Sequence, residues 1–136
     1  MTNNKKVYKI VVESTFYEAK KKRNGELGQP RKHTRQQVNG EIAVDTLSDA
    51  LDVILNAVHL AIKEYGDRDR FELRFSLADI SVKCKECGAL LESPRMIANG
   101  YYYGELFVVM INHMRRYFSN VESIKSAVLN AYDEAE

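Results

Sequence analysis

Tyr103-Gly-Glu-Leu-Phe-Val-Val-Met-Ile-Asn-His-Met-Arg-Arg-Tyr-Phe118 is the stretch on which the fold turns. Tyr103, Leu106, Phe107, Met110, Met114 and Tyr117 recur at helical spacing, which predicts a helix over residues 103–118. Gly104 weakens its first turn by up to ~1 kcal/mol relative to Ala. Leu106 to Ile111 is apolar at every position. It is the longest such run in the chain and falls far short of the ~20 residues that span a bilayer. Ser119 and Glu122 then stand in capping-box register for another helix through Asp133, with Val121, Ile124, Val128 and Tyr132 on its buried edge.

Upstream, Phe71, Leu73, Phe75 and Leu77 alternate with Glu72, Arg74 and Ser76, the period of a half-buried strand. The apolar phase then shifts to Ala78, Ile80 and Val82. A one-residue slip would swap the faces, so a bulge or bend is expected near Ala78-Asp79. Ala89 to Glu92 is expected as a short return strand and Ser93 to Gly100 as a loop. Before the helix that begins near Thr46, Val7 to Lys20 and Thr34 to Val44 alternate as two strands of a long hairpin. Thr46 and Asp49 cap that helix, and Gly66 offers its stop after Tyr65. Leu51, Ile54 and Val58 lie on its main apolar stripe and are expected to pack against Phe71, Leu73 and Phe75.

The expected architecture is therefore α+β. An antiparallel sheet of about four strands is packed by three helices, in the order strand-strand-helix-strand-strand-helix-helix. At 136 residues the chain is expected to form a single domain, residues 1–136, with a mobile basic hairpin tip at 21–33. The first helix and the run Leu106–Ile111 carry more apolar girth than one sheet face covers, which predicts a homo-oligomer. No apolar stretch follows the charges of the opening segment, and the only cysteines are Cys84 and Cys87. A cytoplasmic protein is the expectation, neither secreted nor membrane-bound.

A net charge of +1 hides a strong asymmetry. Residues 1–40 hold ten Lys/Arg against Glu13, Glu18 and Glu26, a net +7, and the remainder is −6. Lys20, Lys21, Lys22, Arg23, Arg31, Lys32 and Arg35 cluster around the Gly/Pro hairpin tip. Such a cluster neutralises phosphates, and an arm of this kind can follow a groove. Its outline is similar to the β-ribbon arms of bacterial histone-like DNA-bending proteins, although nothing else in the chain matches them. The competing reading is a solvated loop whose charge serves solubility.

Tyr101 and Tyr102, with Arg115 and Arg116, form a second candidate, since exposed aromatic rings beside guanidinium groups stack bases and hold phosphate. Against this, aromatics at helical spacing usually pack a core. Cys84-x-x-Cys87-Gly88 resembles the knuckle of zinc-ribbon proteins over about ten residues. Zinc is the one cofactor the sequence suggests, bound at an incomplete site unless a second copy, or two of His33, His59 and His113, complete four ligands. A degenerate knuckle and two unligated thiols at a turn are the alternatives.

For catalysis the sequence is nearly silent, with no phosphate loop, nucleophile elbow or metalloprotease motif. The expected function is a non-enzymatic binding or regulatory protein, an adaptor or inhibitor acting stoichiometrically. Its basic hairpin would engage nucleic acid or an acidic protein surface. The alternative is a receptor or sequestering protein for a nucleotide-like small molecule.

Overall fold

The computed structural model describes residues 6–80 and 95–133. Along the chain lie β1 (Lys6–Glu18), β2 (Arg31–Val44), α1 (Leu47–Tyr65), β3 (Asp69–Asp79), β4 (Arg95–Tyr103), β5 (Leu106–Ile111), β6 (Met114–Phe118) and α2 (Val121–Asp133). The strands form one antiparallel sheet in the order β2-β1-β3-β4-β5-β6. The fold is α+β as expected, but the expected four strands and three helices are corrected to six and two among the described residues.

The correction lies in residues 103–118. They are not a helix but the end of β4, all of β5 and all of β6. Two two-residue turns fold the chain back on itself. Gly104 and Glu105 have φ of 59° and 68°, and Asn112 and His113 have φ of 52° and 66°. Two successive positive φ values mark the type I′ turn, whose twist matches that of the strands it joins. Tyr103 accordingly pairs with Leu106, and Ile111 with Met114. A run that is apolar throughout satisfies a period of 3.6 as readily as a period of 2. Its Val, Ile, Phe and Tyr content favours the pleated conformation.

β4 begins at Arg95, within residues expected to be a loop. Gly100 is a strand residue chosen for close approach. A Cβ there would lie 2.5 Å from the Val108 carbonyl oxygen and 3.1 Å from Phe75 Cζ.

The rest of the frame follows the expected pattern. Tyr8, Ile10, Val12 and Phe16 of β1, and Phe71, Leu73, Phe75 and Leu77 of β3, share one buried cluster with Leu51, Ile54 and Val58 of α1. Phe107, Val109 and Ile111 of β5 and Ile124 and Val128 of α2 extend it, so both helices lie on one face of the sheet. The register slips between Leu77 and Ala78, where Ile97 is the extra residue of β4. Carbonyls at this bulge accept from the Tyr132 hydroxyl, 3.0 Å to Ile97 and 3.4 Å to Met96, which ties α2 to β4. A second bulge, at Gln37 of β2, gives the buried Ser14 hydroxyl a partner: Ser14 Oγ donates to Gln37 Oε1 at 3.1 Å.

Thr46 caps α1, accepting from the Asp49 amide at 3.1 Å. At α2 the cap is Asn120 rather than Ser119, with the Ser123 amide donating to Asn120 Oδ1 at 2.8 Å. α1 spreads its broad apolar face over β1, β2 and β3 and meets α2, where Lys125 Nζ lies 2.6 Å from Asp52 Oδ1. The two premises for an oligomer thus change: α1 has a second helix beside it, and Leu106–Ile111 is a strand. The expected strand Ala89–Glu92 and the Cys84/Cys87 hairpin lie outside the described residues. Among the described residues no helix is long and apolar enough to cross a membrane.

The turn at Asn112-His113 yields a decisive test. His113 holds a left-handed backbone that costs an L-residue about 1–2 kcal/mol. His113→Gly is expected to leave stability unchanged or raise it by up to about 1 kcal/mol, and His113→Val to lower it by about 1 kcal/mol or more. Urea denaturation reads both. A helical segment would give the opposite sign for glycine, a loss of about 1 kcal/mol.

Candidate nucleic-acid interface

The hairpin that carries the basic cluster is a direct extension of the sheet. β1 and β2 pair from Lys6–Val44 out to Glu18–Arg31, and a Lys21–Leu27 bridge continues the ladder into the tip. The tip is a turn closed by local hydrogen bonds. Lys22 N donates to the Glu26 carbonyl at 2.7 Å, Gly25 N to the Lys22 carbonyl at 3.0 Å, and Glu26 N to Asn24 Oδ1 at 3.0 Å. Gly25, at φ 88°, makes the turn sterically allowed.

Two contacts root the hairpin. On the helix side, the Phe16 ring stacks between His33 and Tyr65, at 5.5 and 5.1 Å between ring centroids. Arg68 pairs with Glu18 at 3.3 Å.

Strand alternation divides the seven basic residues. Lys20, Lys21, Lys22, Arg23 and Arg31 line a concave surface of about 790 Å³ together with Pro30 and His33. Arg35 also turns to the helix side, its guanidinium 5.9 Å from the Phe16 ring centre. Lys32, opposite Tyr17, faces the other side. Glu18 and Glu26 are the acids nearest the tip, and Glu18 is engaged by Arg68.

That other side is the sheet face away from both helices. Register places Glu13, Arg74, Tyr101, Val108 and Tyr117 in one row across five strands, with Tyr103 and Leu106 paired in the next. Tyr101, Tyr103 and Tyr117 are 44%, 58% and 61% exposed, whereas Val108 beneath them is buried. A shallow groove of about 570 Å³ runs between Arg74, Asn99, Tyr101, Met110 and Arg115. Arg74 is paired with Glu72 at 3.2 Å, and Arg70 lies 4.8 Å over the Tyr17 ring.

The four residues predicted to form one small-ligand site therefore separate. Tyr101 and Arg115 meet on the open face. Tyr102 turns to the helix side, its ring 4.6 Å from Phe107 and 6.1 Å from Phe71, and Arg116 covers Phe118. Tyr103, Tyr117 and Arg74 join the open-face group. The helical stripe had assigned the two tyrosines to a core, but once β4 and β6 are strands, alternation turns them outward. The signal available was the pair of turn dipeptides, Gly104-Glu105 and Asn112-His113.

At the opposite end of the sheet Tyr8 is buried beside Asp79 and Arg95. Burial pushes its hydroxyl up to about 12, Asp79 adds to the rise and Arg95 opposes it. The Tyr102 hydroxyl is also raised, by burial first and then by Glu105.

Among the described residues no group of three His, Cys, Asp or Glu is arranged to hold a metal ion. Cys84 and Cys87 lie outside them. His59 lines a groove between the helices with Asp52, Asn56 and Lys125. No family model, curated protein or solved structure matches the chain, so the chemistry of these surfaces rests on their own residues.

The Tyr8 environment fixes an alkaline limit. Below about pH 10 folded and unfolded chains both keep the Tyr8 proton; between about 10 and 12 the unfolded chain alone releases it. The stabilisation from burying the neutral phenol is thus present below pH 10 and lost as pH rises through 12. Urea midpoints measured from pH 9 to 11.5 should fall more steeply for the native chain than for Tyr8→Phe. Parallel curves would show that Tyr8 is not the titrating group.

Proposed function

We propose that the protein is a non-enzymatic nucleic-acid-binding protein that acts stoichiometrically, with the basic hairpin as its phosphate-contacting element. One observation carries this. Lys20, Lys21, Lys22, Arg23 and Arg31 converge on a single concave surface of a hairpin that projects beyond the sheet. Like charges gathered on one surface repel, and the one acid in its lining, Glu18, is already engaged by Arg68. Phosphodiesters supply anions at regular spacing, and each contact releases a counterion. The root formed by Phe16, His33 and Tyr65 fixes the hairpin's angle to the sheet, which lowers the ordering cost of binding. The nucleotide-receptor reading has less support, because Tyr101/Arg115 and Tyr102/Arg116 occupy opposite faces of the sheet.

Replacing Lys21, Lys22, Arg23, Arg31 and Lys32 together by Ser is expected to leave the melting temperature within a few degrees of native, since all five are exposed. Binding to a labelled oligonucleotide should be abolished at 150 mM salt. At low salt, the slope of log affinity against log salt should fall by about 0.7–0.9 for each phosphate no longer neutralised. Unchanged affinity and slope would remove the hairpin from the interface. Binding to a polyglutamate peptide but to no oligonucleotide would reassign it to an acidic protein partner.

A further inference from the structure

We infer that the open half of the sheet, β4 to β6, is a base-stacking platform, and that the nucleic acid bound is single-stranded. This rests on the nucleic-acid reading above and adds a second surface to it. Tyr101 and Tyr117 stand in one row with Val108 between them, so their Cα atoms are about 10 Å apart across two strand spacings. Tyr103 lies two residues along β4 from Tyr101 on the same face, about 7 Å away. The three Cα atoms are therefore spaced at about two to four times the ~3.4 Å rise of stacked bases in a duplex. Their rings match bases that have come apart from one another, and paired bases inside a duplex offer no free face to a ring.

Polar groups stand where such a strand needs them. Arg74, Asn99 and Arg115 border the groove beside Tyr101, with the Arg115 guanidinium placed for phosphate or a base edge and the Asn99 amide for a base edge. Glu72 is the acid in that groove, and it is already engaged by Arg74.

The platform and the hairpin lie at one end of the molecule. β1 ends, β3 begins, β4 ends, β5 begins and β6 ends at the same margin of the sheet. Between Tyr103 and the hairpin, Arg70 and Lys32 flank Tyr17 on the open face. A strand crossing from the tyrosines to the hairpin thus meets cations along its way.

The assay compares oligo(dT) and oligo(U) 20-mers, an abasic 20-mer with the same phosphates, and a 20-base-pair duplex. Tyr101, Tyr103 and Tyr117 are replaced by Leu, which keeps the cover over Val108 and removes the π face. The native chain is expected to bind both base-bearing strands at least tenfold more tightly than the abasic strand. Each ring that stacks a base contributes between about fivefold and a hundredfold.

The triple Leu variant should lose that preference while keeping its abasic affinity, salt slope and melting temperature. The chain has no Trp, so its emission is that of tyrosine, and oligo(dT) should quench it where the abasic strand does not. Equal native affinity for oligo(dT) and the abasic strand, or a preference for duplex, would overturn the platform. So would self-association, measured by light scattering, that the Leu variant abolishes. Loss of all oligonucleotide binding on hairpin substitution, with the Leu variant unchanged, would retain the hairpin and sink the platform alone.

Discussion

Two left-handed turns of two residues each decide how the second half of this chain is used. Gly104-Glu105 and Asn112-His113 place four backbone units at positive φ, three of them on residues that carry a side chain. Each such residue is held at a cost of about 1–2 kcal/mol, and the pairing of β4, β5 and β6 has to exceed it. It does so by burying Phe107, Val109, Ile111 and Phe118 against the helices. Fully burying an aliphatic or aromatic side chain contributes about 1.5–3 kcal/mol. Had the turns failed, the same residues would have formed one rod with apolar side chains all around it. Only part of that rod could have been buried.

From that constraint the asymmetry of the molecule follows. Among the described residues, six strands of 5 to 14 residues give a sheet wider than two helices need, and both helices settle on one side. α1 lies over β1, β2 and β3, while α2 reaches β5 and β6. The other face is left to alternation: every second residue of each strand points there regardless of its chemistry. On β1 those residues include Lys9, Val11, Glu13, Thr15 and Tyr17, of which all but Lys9 are half-buried. On β4 to β6 they are Tyr101, Tyr103, Leu106, Met110, Arg115 and Tyr117. The same pleat thus produces a half of mixed side chains and a half richer in exposed aromatic rings.

What could be read in the sequence depended on whether polar residues punctuate the apolar ones. In β1 and β3 they do. Tyr8, Ile10, Val12 and Phe16 alternate with the less buried Lys9, Val11, Glu13 and Thr15, as Phe71, Leu73, Phe75 and Leu77 do with Glu72, Arg74 and Ser76, and each strand was legible together with the slip at Leu77/Ala78. α1 was legible because its cap, stripe and stop agree. Residues 106–111 have no polar residue, so periodicity there is undefined, and the stripe drawn through them was set by their neighbours. Gly-Glu and Asn-His are also weaker hairpin signals than Asn-Gly, because a side chain sits where glycine is preferred. The basic hairpin was legible as a charge run. Its convergence on one concave surface needed the register of β1 against β2. Tyr102 and Tyr101 are adjacent in sequence and identical in chemistry. Only strand pairing separates the one against Phe107 from the one beside Arg115.

The distribution of the basic residues also separates two duties that charge can perform in a sheet protein. Among the described residues β2 and β6 are the edges of the sheet, and an edge strand offers unpaired amides and carbonyls to any other chain. Charged side chains on edge strands oppose that pairing. Arg31, Lys32, Arg35 and Glu41 on β2 and Arg115 and Arg116 on β6 are placed to do so. Edge protection is one duty of these six; Arg31 also lines the hairpin's concave surface and Arg115 the groove beside Tyr101. Edge protection does not account for Lys20, Lys21, Lys22 and Arg23, which precede β2 in the hairpin loop and guard no long ladder. Their mutual repulsion works against the turn that gathers them, and nothing in the hairpin's own hydrogen bonding depends on their side chains. The excess charge of the hairpin is therefore concentrated where the fold needs it least, which is the arrangement expected of residues kept for an external anion.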